Sequence, residues 1–129
     1  MCMYIYIFFY ISDCQCQTIK VSLSNEVLSK QASRQGVYQK SATVNGKPSW
    51  ESTTQAIWYE PYYRKWAIGE LSNIGTALRG IASAGREGGE YACPIEVPKN
   101  KWLYDYVDWQ EIKEGDVLFE CQDSGKKAF

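Results

Sequence analysis

The chain contains no histidine. Imidazole is the usual base for a serine or cysteine nucleophile near neutral pH and the commonest transition-metal ligand, so triad hydrolysis and His-dependent zinc sites are excluded. An enzyme built from this sequence is left with carboxylate, lysine or tyrosine chemistry. Charge of one sign is also missing: 14 basic side chains stand against 15 acidic ones, and no block of like charge runs beyond a few residues. No sequence-independent attraction to a phosphate backbone is therefore expected, which sets nucleic acid aside as a partner. No apolar run reaches the ~20 residues of a membrane-spanning helix, so stable insertion of the mature chain is not expected either. At 129 residues there is material for one core without a metal or cofactor to support it, and none is called for.

Aromatic rings are abundant instead. They make up 15% of the chain, and five Trp with ten Tyr outnumber four Phe, which favours rings with a polar handle that sit half-buried on sheet faces or binding surfaces. Residues 1–12, MCMYIYIFFYIS, form an apolar run of about 11 residues, which matches the hydrophobic region of a secretory signal peptide although no Lys or Arg precedes it. Residues 1–16 are accordingly read as a signal peptide, with a buried first strand as the alternative. A single β domain then occupies 17–121, and polar 122–129 is a flexible tail.

The five cysteines leave the pairing open. A cut after Cys16 leaves Cys93 and Cys121, whose disulfide would contribute roughly 3 kcal/mol in the chain-entropy treatment. A cut after Cys14 leaves three thiols: Cys16, at the mouth of the first strand, then pairs with Cys121 at the end of the last, and Cys93 is spare. Reduced, buried body cysteines are the third option. Cys14-x-Cys16 has the wrong spacing for a zinc knuckle, so no metal site is expected.

Along the body, Ile19, Val21 and Leu23 alternate with Lys20, Ser22 and Ser24, the period of a strand with one wet face. Asn25 to Gln35 loses that alternation, and Asn25 is placed to cap a short helical turn. From Gly36 to Gly75 the sequence predicts a three-strand antiparallel meander. Asn45-Gly46 supplies the positive φ values of a type I′ hairpin, and Pro61 to Arg64 makes the next turn. Ile57 and Tyr59 share one face, as do Trp66 and Ile68, so their pairing buries an apolar strip while Trp58 projects to the other side. Leu71 to Glu90 reads as a surface loop interrupted by a short strand at 80–83; Gly75 and Gly80 lack the strand and helix that a phosphate-cradling loop needs. Residues 101–110, KWLYDYVDWQ, with Trp102, Tyr104 and Tyr106 on one face, and Asp116 to Cys121 supply further strands. The fold class expected is all-β: an antiparallel meander in a small sandwich or open barrel, with at most one or two short helical turns.

Tyr38, Asn45-Gly46-Lys47-Pro48-x-Trp50, Ile57-Trp58-Tyr59, Lys65-Trp66-x-Ile68-Gly69, Cys93-Pro94, Trp102-x-Tyr104 and Cys121 come in an order that resembles a small aromatic-rich β module. That module is found, often repeated, in secreted and cell-surface proteins of invertebrate animals. The resemblance spans roughly residues 18–121 and implies a β-rich fold and an extracellular location. It carries no reaction and no ligand.

The residues themselves offer three candidate sites. Trp58, Tyr62, Tyr63, Trp102, Tyr104 and Tyr106, with Asp105 and Asp108, have the mixture of ring faces and carboxylates that a carbohydrate platform needs; as sheet core the same rings would serve packing alone. Tyr62, Tyr63 and Arg64 with Lys65 at a hairpin tip have the composition of a protein-contact hot spot. Glu51 with Glu60, or Asp105 with Asp108, would be the acids of a small glycosidase. The reading adopted is a non-catalytic extracellular module that binds a protein or takes part in adhesion, with carbohydrate binding as the alternative and a carboxylate-dependent glycosidase as the remote one. The partner is an extracellular protein or a glycan.

Overall fold

Alternation of buried and solvent-facing side chains is obeyed in the first strand, whereas all six residues of Gln55–Glu60 are buried. In β1 (Thr18–Leu23) the side chains of Ile19, Val21 and Leu23 are buried and Lys20 faces solvent. The computed structural model describes residues 14–83, 91–98, 101–106, 108–111 and 117–123, with the backbone alone at 105, 106 and 108–111. The remaining strands are β2 (Gly36–Val44), β3 (Lys47–Glu51), β4 (Gln55–Glu60), β5 (Lys65–Glu70), β6 (Ile81–Ser83), β7 (Trp102–Tyr106), β8 (Asp108–Glu111) and β9 (Val117–Cys121). All pair antiparallel in one nine-stranded sheet of order β8-β7-β6-β5-β4-β3-β2-β1-β9.

The sheet curls back on itself. Trp102 on β7 stacks on Phe119 of β9 with ring centroids 4.6 Å apart and planes 18° from parallel, although no ladder joins those strands. Of the two architectures expected, the structure takes the barrel, nearly closed. The helix α1 (Asn25–Gln31) packs against both β7 and β1; Val27 is buried, and Tyr104 donates to Glu26 Oε2 at 3.2 Å. Its cap is Ser24, one residue before the Asn25 expected from sequence. Among the described residues no helix is long and apolar enough to cross a membrane.

The interior is built on the strip expected from the meander. Ile57 lies opposite Ile68 and Tyr59 opposite Trp66. Trp66 sits 6.2 Å from Trp50 and 5.7 Å from Tyr59, ring to ring. Buried indoles need an acceptor, and both find one: Trp50 Nε1 donates to the Cys16 carbonyl and Trp66 Nε1 to that of Tyr91, each at 3.0 Å. Those two acceptors belong to segments that the disulfides hold in place.

Of the cysteine pairings expected from sequence, Cys16–Cys121 is formed, whereas Cys93–Cys121 needs correction and Cys93 is not spare. The bonds are Cys14–Cys93 and Cys16–Cys121. The reason is strand order: β9 returns beside β1, with Ile19 opposite Cys121, which brings Cys16 to the end of the last strand. Cys93 then meets Cys14 with Cα atoms 4.9 Å apart, tying the segment 91–98 to the chain entering β1. Two disulfides fit an oxidising compartment.

The hairpin at Asn45-Gly46 has φ values of 55° and 85°, as its dipeptide predicts. The Asn45 amide also donates to the carbonyls of Tyr59 at 2.9 Å and Gly75 at 3.0 Å, so the turn pins the loop that follows β5. That loop forms a second apolar layer on the outside of the barrel. Leu71 and Ile74 pack with Val44 against Ala56, Trp58 and Ala67. Gly69 permits the close approach: a Cβ there would lie 3.1 Å from Arg79 Cα and 3.2 Å from the Leu78 carbonyl oxygen.

Candidate functional site at the β4–β5 tip

Glu60 ends β4 and is buried. Its two carboxylate oxygens accept the backbone N–H groups of Tyr62 at 2.5 Å and Tyr63 at 2.9 Å, and Arg64, at φ 60°, turns the chain into β5. A tip fixed from beneath in this way holds its side chains out. Tyr62 is 80% and Tyr63 49% exposed, yet the two rings meet edge to face, 4.7 Å apart at 89°. The guanidinium of Arg79 lies 5.1 Å from the centre of the Tyr63 ring, a cation–π distance. Beside it Leu78 is 64% exposed.

Arg79 and Leu78 are also the wall of a shallow pocket of about 250 Å³, completed by Arg34, Glu70 and Asn73. Arg34 is the fixed part. Its side chain is only 13% exposed, with Nη1 bonded to Gln55 Oε1, Glu70 Oε2 and Ser33 Oγ and Nε bonded to Gln31 Oε1. The Arg34 and Gln55 hydrogen bonds hold the Glu70 carboxyl below the usual carboxylate range. Gly80 makes this packing possible, because a Cβ there would meet Gln31 Oε1 at 2.2 Å and Arg34 Nε at 2.6 Å. Burial pushes the Tyr38 phenol up, and its hydroxyl donates to the Arg34 carbonyl at 2.5 Å.

The structure divides the sequence-derived candidates. Tyr62, Tyr63 and Arg64 are together at the tip and exposed. Trp58 is not a surface ring: it is fully buried under the 71–79 loop, with Nε1 donating to the Thr76 carbonyl at 3.0 Å. Tyr104 is likewise core, because it faces into the barrel from β7, as does Trp102. Asp105, Tyr106 and Asp108 have side chains outside the described residues. Their backbone lies on β7 and β8, beyond β6 from the tip and toward the opposite end of the barrel, so the expected platform is not assembled as one surface. What sequence reasoning missed is Arg79 and Leu78. The one available signal was Gly69 at a strand end, since glycine there marks a place where another backbone comes close.

No known protein family, curated protein or solved structure matches the chain. The chemistry must therefore be read from the geometry alone. Glu51 lies opposite Ala56, and Glu60 is four residues farther along β4, which at ~3.3 Å per residue separates them by about 13 Å. Glycosidase carboxyls stand no more than ~9.5 Å apart. Glu51 also accepts from Ser41 Oγ at 2.9 Å. Among the described residues, the group closest to a metal-ligand cluster is Cys16, Cys121 and Asp123. Its sulfurs are bonded to each other, and Asp123 accepts the N–H groups of Gln17 and Thr18.

Glu60→Ala should release the tip without unfolding the barrel. Two backbone N–H groups lose their acceptor, at about 1–3 kcal/mol where they stay buried. The expected readout is a loss of Tyr62–Tyr63 contacts in aromatic NOE spectra with the Trp66 and Ile68 signals unchanged; unchanged Tyr–Tyr contacts would show that Glu60 does not order the pair.

Proposed function

We propose that this chain is a secreted, non-catalytic protein-interaction or adhesion module that docks its partner through the tip formed by Tyr62, Tyr63 and Arg79. The supporting observation is the Tyr62–Tyr63 pair itself, exposed to water yet held at a fixed angle by a buried carboxylate and capped by a guanidinium. Tyr and Arg are residue types over-represented at binding hot spots, and rings ordered before contact lose little entropy on binding. The two disulfides support the extracellular setting, as does the apolar run of residues 1–12, a leader that must end before Cys14 for both disulfides to be kept. A glycan is the less favoured partner. Sugar hydroxyls need acceptors beside the ring, and both oxygens of Glu60, the described carboxylate at the base of the tip, already take backbone N–H groups.

The double substitution Tyr62→Ala/Tyr63→Ala tests this. Because both rings are exposed, stability should stay within about 0.5 kcal/mol of the parent. Saturable binding to an array of extracellular proteins should fall by tenfold or more. Binding confined to a glycan array and lost in the same variant would move the assignment to a carbohydrate module, and binding unaffected by the substitution would remove the tip from the function.

A further inference from the structure

Among the described residues, three other than glycine take a positive φ: Cys14 at 58°, Asn45 at 55° and Arg64 at 60°. Glycine is the usual occupant of that left-handed region, and Asn comes next because its short side chain bonds locally. Two of the three serve the fold in return. Cys14 is tied in place by its disulfide to Cys93, and the Asn45 amide bridges the carbonyls of Tyr59 and Gly75. Arg64 does not. It is exposed, and its guanidinium has no hydrogen-bond, ion-pair or ring partner among the described residues. The other cations around the tip are engaged: Lys65 donates to the Ser83 carbonyl at 3.0 Å, and Arg79 lies over Tyr63 while donating to the Ala77 carbonyl. Asn or Gly would suit the Arg64 backbone better, so its side chain is kept at a cost in stability. Strain of this kind is concentrated where a residue serves function.

We infer that Arg64 is the specificity-determining residue of the tip: its guanidinium receives a carboxylate of the docked protein, while the Tyr62 ring packs on an apolar side chain next to that carboxylate. This deepens the docking reading and rests on it. Glu60 holds the backbone N–H groups of Tyr62 and Tyr63, so the turn from which Arg64 projects is ordered before contact. Arginine presents a planar fork of N–H donors that matches the two oxygens of a carboxylate, which the point charge of a lysine does not. Such a pair is worth little while water surrounds it. It gains when an adjacent ring is covered and water is shut out, and Tyr62, 80% exposed, is the ring available for that. Selection comes from this one unpaired guanidinium and not from any net charge of the tip. A protein segment brings its carboxylate and its apolar group on neighbouring side chains, whereas an acidic sugar surrounds its carboxylate with hydroxyls. Charge recognition at an exposed site acts chiefly on encounter rate and partner choice.

The test is selection of random twelve-residue peptides displayed on phage against the full disulfide-bonded chain, run in parallel on Arg64→Asn, on Arg64→Lys and on Tyr62→Ala/Tyr63→Ala. Near-UV circular dichroism and intact mass confirm fold and disulfides for each. The parent should enrich peptides that pair Asp or Glu with an aromatic or aliphatic residue, and their binding should weaken with added salt. Arg64→Asn, which suits the left-handed backbone, should unfold in urea at a midpoint no lower than the parent's. It should keep the apolar preference, lose the acidic one and the salt dependence, and bind the parent's best peptide at least tenfold more weakly. Arg64→Lys should retain the acidic preference with a smaller loss of affinity. A lower unfolding midpoint in Arg64→Asn would show that the side chain serves the fold and would overturn the inference. A consensus without acids, or one equally acidic on Arg64→Asn, would overturn it too while leaving the aromatic tip as the docking surface. Peptide binding indifferent to Tyr62 and Tyr63, or no enrichment at all, would overturn both readings. Saturable binding only to glycans bearing uronic or sialic acids, lost in Arg64→Asn, would overturn the partner class.

Discussion

Trp66→Ala should destabilise the barrel by about 3–5 kcal/mol, the range found when a buried aromatic ring is removed from a core. Trp66 is fully buried, lies between Trp50 and Tyr59, and holds the Tyr91 carbonyl through its indole N–H. Cavity and orphaned acceptor come together: the void opens beneath β4 and β5, and the 91–98 segment loses a side-chain anchor that Cys14–Cys93 alone must then replace. Typical domains have only about 5–15 kcal/mol in total, so the transition should fall by roughly 10–20 °C. Trp66→Phe separates the two contributions, since it keeps much of the volume and removes the donor; about 1–3 kcal/mol is expected for the unsatisfied carbonyl. Tyr62→Ala is the control, because its exposed ring should change stability by no more than about 0.5 kcal/mol. Urea unfolding of the three variants checks the series. A loss below about 1 kcal/mol in Trp66→Ala would contradict the packing described for this strand pair.

Which of these features sequence could reveal depended on how local their cause is. Asn45-Gly46 was legible because positive φ at two adjacent residues is a property of the dipeptide. The pairing of Ile57 and Tyr59 with Ile68 and Trp66 was legible because strand side chains alternate and one turn set the register. Trp58 shows where that logic ends. Alternation placed it on the outer side, as found, but whether that side is wet is decided by the 71–79 loop, which descends onto β5 because Gly69 has no side chain. The same descent carries Arg79 to Tyr63, a contact that joins two distant parts of the chain and that no local pattern encodes. Gly80 likewise carried no local sign that Gln31 and Arg34 would pack on it. Cysteine pairing was only partly legible for a related reason: Cys16–Cys121 was one of the pairings left open, but Cys14–Cys93 was not foreseen. The pairing follows from β9 lying beside β1, and strand order in a barrel depends on how distant strands meet, not on any one segment.

That strand order sets the effect of removing the disulfides, and the two are not independent. Cys14–Cys93 and Cys16–Cys121 span 79 and 105 residues of chain, which the loop-entropy treatment values separately at about 4.5 and 4.8 kcal/mol. Both begin at the same three-residue stretch, Cys14-Gln15-Cys16. With Cys16–Cys121 intact, the shortest circuit closed by Cys14–Cys93 runs through Cys121 and back along the chain to Cys93, only about 30 residues, and is worth about 3.7 kcal/mol. Either pair replaced by serine should therefore lower stability by about 3–4 kcal/mol, and both together by about 8, so that the second removal has the larger effect. A loss of that size approaches the whole stability of a typical domain, and the doubly substituted chain should be unfolded at 37 °C. Chemical unfolding of the two single-pair variants and the double one reads this directly, with peptide mapping under non-reducing conditions to confirm Cys14–Cys93 and Cys16–Cys121 in the parent. Recovery of a Cys93–Cys121 peptide would overturn the connectivity. Strict additivity at about 4.5 kcal/mol per bond would show that the two cross-links act on separate loops, contrary to their shared origin.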